Sequence, residues 1–215
     1  MRRLTGLFLL ILLAACSRPL AEGERAFARD LFGETLDVDR VRVAVGLGLT
    51  PAPAPRPLPA DPEPVARRPG LCDRVAPDTG PREPPPAFAL YDRVHVMPEY
   101  YHADMMPRWP EGVLVPEALI FGHELVHVWQ WQNRRVTGYH PGRAIFESLI
   151  LGDPYFYRPN AGEGFLGYGY EQQGALVEDY MCYLIFDPDN PRRAEIRDIL
   201  RQVFTVENVD AALGR

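Results

Sequence analysis

The sequence predicts an α+β domain: a small sheet packed beside one buried helix, with a second helix crossing behind it. Two segments, 37–45 and 88–97, alternate apolar and polar residues with the period of two that a strand requires. Longer segments, above all 116–135 and 170–186, repeat apolar residues at helical spacing. With 215 residues, 47% hydrophobic and 24% charged, the chain has ample apolar material for one core.

At the N-terminus, Arg2 and Arg3 precede a short apolar run, Leu7 to Leu13, followed by Ala14, Ala15 and Cys16. The run is too short to span a bilayer, and the order of regions is that of a secretory signal. Leu13-Ala14-Ala15-Cys16 resembles the lipobox of bacterial lipoproteins. That resemblance implies a signal peptide over 1–15 and lipidation of Cys16, which anchors an otherwise soluble domain to a membrane. Ser17 after the cysteine resembles lipoproteins sent to the outer membrane. The expected location is therefore the bacterial cell envelope, lipid-anchored in the outer membrane and facing the periplasm. Residues 16–23 read as a tether and 24–215 as a single domain.

Within that domain, Glu24 to Phe32 sets Ala26, Phe27 and Leu31 on one side of a helix that stops at Gly33. Asp37 to Val45 is expected as a strand with Val41, Val43 and Val45 inward. Residues 51–86 hold 13 of the 23 prolines, and proline cannot donate to a ladder, so a stiff extended loop is expected. Phe88 to Met97 is the next strand, ended by Pro98; His102 and Asp104 lie in a loop, where they could in principle bind metal but are expected as solvated polar residues. The 116–135 helix opens with Pro116, suited to a first turn, and Glu117, suited to the positive helix end. Ala144 to Leu151 is a short helix, and Tyr170 to Phe186 a long one with Leu176, Val177, Tyr180, Met181 and Leu184 in the core. Pro191 to Phe204 is a packing helix with a charged outer face.

Charge and cysteine usage narrow the partners. A net charge of −6 argues against nucleic acid. Beyond Cys16 the chain has Cys72 and Cys182, which an oxidising compartment favours joining as a disulfide; an inert buried Cys182 is the competing reading.

The chemistry concentrates in Phe121 to Trp129, which contains His-Glu-x-x-His. Residues four apart lie one helical turn above each other, so His123 and His127 point from one face toward one spot. Two neutral imidazoles at that spacing can hold Zn²⁺, with Glu124 beside it as general base for a water. Glu171, Gly174 and Glu178 share one face of the later helix, so a carboxylate there is the candidate third ligand. Gly174 permits the close approach that a metal bridging two helices needs.

His123-Glu124-Leu125-Val126-His127-Val128-Trp129-Gln130, followed by Glu171-Gln172-Gln173-Gly174-Ala175-Leu176-Val177, resembles small bacterial zincin-like zinc metallopeptidases, the minimal gluzincins or Vgr-related proteins. The resemblance covers most of 24–186. It implies a zincin-like fold in which the His-Glu-x-x-His helix meets a second ligand helix. It also implies Zn²⁺ held by His123, His127 and Glu171, with Glu178 as the alternative ligand. Family members often carry an acidic residue four positions after the ligand glutamate; Ala175 stands there, so Glu178 or Asp179 would take the outer role. A Tyr or His commonly stabilises the oxyanion, which leaves Tyr168, Tyr170, Tyr139 and His140 as candidates. The implied activity is hydrolysis of peptide bonds in an envelope peptide or protein. The alternative is a non-catalytic zinc-binding lipoprotein, a binding or structural module. Glu124 favours catalysis, because a structural site needs no general base. A wall- or carbohydrate-binding lipoprotein rests only on the aromatic clusters.

Overall fold

Short valine-rich segments and a nearly all-apolar helix set the architecture. The computed structural model describes residues 16–54, 57, 66–80, 84–159 and 164–214, and the signal-peptide expectation for 1–15 lies outside the described residues. The fold is α+β, with four strands in one mixed sheet of order β1-β2-β4-β3 and seven α-helices among the described residues. The strands are β1 (Ser17–Pro19), β2 (Arg42–Val45), β3 (Ala87–Leu90) and β4 (Arg93–Val96). β1 runs antiparallel to β2, β2 parallel to β4, and β3 antiparallel to β4. Val43, Val94 and Val96 are essentially inaccessible, so the β-branched positions form the inner face.

Part of the expected tether is folded. Ser17–Pro19 pairs with β2, and Pro19 is tolerated because β1 is an edge strand. Arg18 reaches fully buried Glu24 through two hydrogen bonds of 2.7 Å, which fastens this segment to the helix after it. The expected strand over 37–45 shrinks to its last four residues. Asp37 accepts hydrogen bonds from the backbone of Arg40, at its carbonyl, and Asp39, at its side chain, so a turn replaces the first half. The expected strand over 88–97 is a hairpin instead. It turns at Tyr91 and Asp92, with Tyr91 at φ 57°, and lacks the Asn-Gly or Asp-Gly signal of such turns.

The helices are α1 (Glu22–Phe32), α2 (Glu117–Gln132), α3 (Arg134–Thr137), α4 (Pro141–Ile150), α5 (Tyr170–Phe186), α6 (Pro191–Leu200) and α7 (Val206–Ala212). α2 is buried almost continuously from Glu117 to Gln130, because β3 and β4 pack on one side and α5 on another. α4 begins earlier than the apolar pattern suggests: the His140 side chain accepts a hydrogen bond from the Gly142 N–H at 3.1 Å, and Pro141 fits the first turn. The C-terminal helix ends at Leu200, and the separate α7 packs on α1. Asp210 draws α7 in by accepting hydrogen bonds from Tyr180 on α5 and Arg197 on α6.

Candidate metal centre

Helix geometry and one glycine bring the site together. His123 and His127 lie one turn apart on α2, and both present Nε2 to the same oxygen of Glu171 on α5, at 3.3 and 3.2 Å. Donors about 2 Å from a shared tetrahedral ion sit roughly 3.3 Å apart, so the spacing suits Zn²⁺. One ligand atom from each of the three residues falls within 4.8 Å of the other two. Gly174 makes the approach feasible. A Cβ at that position would lie 2.6 Å from His123 Nε2, so any other residue would displace the ring.

Outer contacts orient each ligand. The His123 Nδ1–H donates to Glu178 Oε2 at 3.3 Å, and the His127 Nδ1–H donates to Gln130 Oε1 at 2.9 Å. Gln130 donates in turn to the Tyr170 carbonyl and to Gln173, so its orientation is fully determined. Ser148 on α4 donates to the second oxygen of Glu171 at 3.1 Å. Burial works to lower the His123 pKa, but the Glu171 and Glu178 carboxylates outweigh it and push it up to about 10. The His127 pKa is also raised: burial opposes protonation, and Glu171 overcomes it. Burial works upward on Glu171, yet His127 and His123 hold it far below the ordinary carboxylate range. The cluster thus concentrates negative charge on a spot that calls for a cation. The donor set, the spacing and the glycine all fit Zn²⁺.

Glu124 faces a cavity of about 800 Å³ that His127, Glu171 and Tyr139 also line. Its Oε2 is buried and has no hydrogen-bond partner. Burial pushes its pKa up, against the pull of His127 and His123. Strand β3 forms one wall and Ile145 and Leu149 of α4 another. Met97 N donates to Pro86 O at 2.9 Å, which puts Phe88 in a hydrogen-bonded pair with His95. Ala87 and Ala89 alternate with these and turn their N–H and C=O groups away from β4.

The candidates sort by position. Glu178 sits on the far nitrogen of His123 rather than among the three converging donors. Asp179 is not an outer partner: it turns to Arg74 and Tyr157 because it lies on a neighbouring face of α5. Of the four oxyanion candidates, Tyr139 lines the cavity, with its ring against His127 at 6.2 Å. The other three are held elsewhere. Tyr168 donates to the Arg158 carbonyl, Tyr170 to the Gly138 carbonyl, and His140 caps α4. Cys72 and Cys182 form a disulfide with Cα atoms 5.8 Å apart. Cys16 is buried and takes no part in the disulfide. His102 and Asp104 are not solvated loop residues, since His102 is buried and Asp104 accepts hydrogen bonds from the Gly23 and Met106 N–H groups. Sequence reasoning missed Ser148, Arg74 and Tyr155, which reach the site from segments without any site motif. Gln130 had a signal, three residues after a ligand histidine on the same helix face.

No family model matches the chain. Over 65 residues it is 40% identical to the type VI secretion system spike protein VgrG2b of Pseudomonas aeruginosa, a stretch equal to 28% of this chain and 6% of that protein. Among solved structures it is similar to the effector domain of Pseudomonas aeruginosa VgrG2b, with TM-score 0.49 and 22% identity over 86% of this chain and 83% of that one. These matches correct the expected kinship. The 65-residue match is to a secretion spike protein, of which it spans 6%, and not to the small zincin-like metallopeptidases. The physical reason is that His-Glu-x-x-His encodes one face of one helix, a local geometry that recurs without common descent. Among the described residues no helix is long and apolar enough to cross a membrane.

Proposed function

We propose that this protein is a zinc-dependent hydrolase that cleaves peptide bonds. The observation that carries the reading is the convergence of His123, His127 and Glu171 beside a buried Glu124 that lines a cavity and has one carboxylate oxygen without a hydrogen-bond partner. A closed structural site would use a fourth protein donor and would have no use for Glu124. His123, His127 and Glu171 would hold the ion. When bound, Zn²⁺ supplies Lewis-acid polarisation of a carbonyl and lowers the pKa of a water to roughly 7.

The chain's own groups do the rest. Glu124, a stronger base for its burial, takes the proton of the attacking water and returns it to the leaving amine nitrogen. Tyr139 donates a hydrogen bond to the carbonyl oxygen as it gains charge. Burial, with Glu171 and Glu124 nearby, pushes the Tyr139 pKa up, so the phenol keeps its proton. The outward groups of Ala87 and Ala89 suit an extended peptide added to the β3 edge, and Ile145 and Leu149 suit apolar side chains on it. An envelope location, anchored through Cys16, remains part of the proposal. The Cys72–Cys182 disulfide supports an oxidising compartment.

The test is hydrolysis of an unfolded protein such as casein by zinc-loaded wild type and Glu124→Gln, with zinc per chain measured on both. Wild type should cleave, and the variant should lose roughly 10²–10⁴-fold in rate while keeping its zinc. Equal rates in the two proteins would sink the catalytic reading and leave a zinc-binding module.

A further inference from the structure

The loop that enters the site from the proline-rich region has no helix or strand of its own between residues 66 and 80. Arg67 is held by Asp189, Arg68 by Phe186 and Asp78 by Asp153, and between them three consecutive residues tie the loop to the helices beside the site. Cys72 is bonded to Cys182 of α5. Asp73 accepts a hydrogen bond from Tyr183 of α5 at 2.5 Å. Arg74 donates from Nε and Nη2 to Asp179, and its carbonyl accepts from Arg192 of α6. Tyr157 donates to the same Asp179 at 2.7 Å, so that carboxylate is held from two sides.

Arg74 also reaches the metal centre. Its Nη2 lies 3.4 Å from Glu178 Oε1, while the other oxygen of Glu178 accepts from His123 Nδ1. The Glu178 side chain is 33% exposed, so without the guanidinium it would be free to turn toward water. A His123 without its Nδ1 partner loses both a fixed tautomer and a fixed ring angle.

We propose that Arg74 is a positioning residue for the metal centre, and that the Cys72–Cys182 bond makes its placement conditional on oxidation. The proposal rests on the zinc reading above. Forming the bond removes two electrons and two protons from the two thiols and transfers them to a disulfide oxidant, which becomes a dithiol. A reduced chain then holds the Arg74 loop by hydrogen bonds and ion pairs alone. The bond joins residues 110 apart in sequence, and without it no covalent link holds Arg74 beside α5. Full metal affinity is thus reserved for an oxidising compartment.

The experiment measures zinc affinity at one fixed pH by competition with a chromogenic chelator. The proteins are wild type, Arg74→Met, Arg74→Lys, Cys72→Ser/Cys182→Ser and the triple combination, each checked by far-UV circular dichroism. Arg74→Met should bind zinc about 10–100-fold more weakly, the range expected for loss of an outer contact. Arg74→Lys should recover part of that loss, and the Co²⁺ absorption spectrum of Arg74→Met should differ from wild type. The double serine variant should weaken binding in the same direction. Adding Arg74→Met to it should cost little more, since both act through one contact. If Arg74→Met does not fold, Glu178→Ala removes the acceptor of the same relay from the site side and should weaken zinc at least as much. A folded Arg74→Met with wild-type affinity would overturn the positioning role, and full additivity with the serine pair would overturn the oxidation link. Absence of zinc from wild type would overturn the zinc reading itself, a distinguishable result.

Discussion

Helix α2 carries two buried meetings of histidine with glutamate, and only one has the makings of a site. In its middle, His123 and His127 share one oxygen of Glu171 beside a cavity. At its first turn, Glu117 Oε1 lies 3.3 Å from Nε2 of buried His102. That pair has a single histidine, does not line the cavity, and leaves His102 Nδ1 buried without a partner. Burial and a His–Glu contact are therefore common to both. What separates them is the third donor at tetrahedral spacing, supplied by a second helix that Gly174 lets in.

The largest effect should come from removing that third donor. Glu171→Ala should lose zinc by more than the 10–100-fold typical of outer contacts, as elemental analysis after dialysis would show. Zinc retained at one per chain would place the third ligand elsewhere and dissolve the contrast with His102. Next, Gly174→Ala should weaken zinc at least tenfold and cost about 1–3 kcal/mol of metal-free stability, because its Cβ lies 2.6 Å from His123 Nε2. Chelator competition and denaturant unfolding read the two consequences separately. Unchanged affinity would mean that α5 can shift without disturbing the donors.

Proton competition sharpens the comparison further. The His123 pKa is pushed up to about 10 in the folded, metal-free protein, above the free-imidazole value of about 6.5. Its contribution to metal-free stability is therefore full below about pH 6.5 and fades as pH rises through about 10. Zinc needs the neutral ring, so its apparent affinity should rise with pH over that window, by about tenfold per unit for one displaced proton. A flat profile between pH 7 and 9 would show that the ring is already neutral. The smallest effect on metal belongs to the other pair. His102→Phe should leave zinc affinity unchanged and alter stability by about 1–3 kcal/mol, since a buried polar contact is exchanged for packing. A loss of zinc there would show that the two clusters communicate along α2.

Legibility followed the range of the interactions. Helix α5 was readable to its exact ends, Tyr170 and Phe186, because its apolar pattern is local and unbroken. The 91–92 turn was not readable, because packing and hydrogen bonding across the strands hold Tyr91 at positive φ without a glycine. Asp179 was legible as an acidic residue near the site but not as the partner of Arg74, 105 residues away in sequence. The four oxyanion candidates were indistinguishable as letters, and only where each hydroxyl or ring finds its hydrogen bond separates Tyr139 from Tyr168, Tyr170 and His140.

By itself the sequence determined the α+β class, the pairing of His123 with His127 on one helix face, and Glu124 beside them. Each follows from periodicity within a single element. Tertiary structure decided that Glu171 meets both histidines, that Glu178 and Gln130 steady them, and that β3 walls the cavity. Those contacts depend on how one helix packs against another and on which strand ends at the sheet edge. Both are set by the sum of the core's packing and not by any short run of residues.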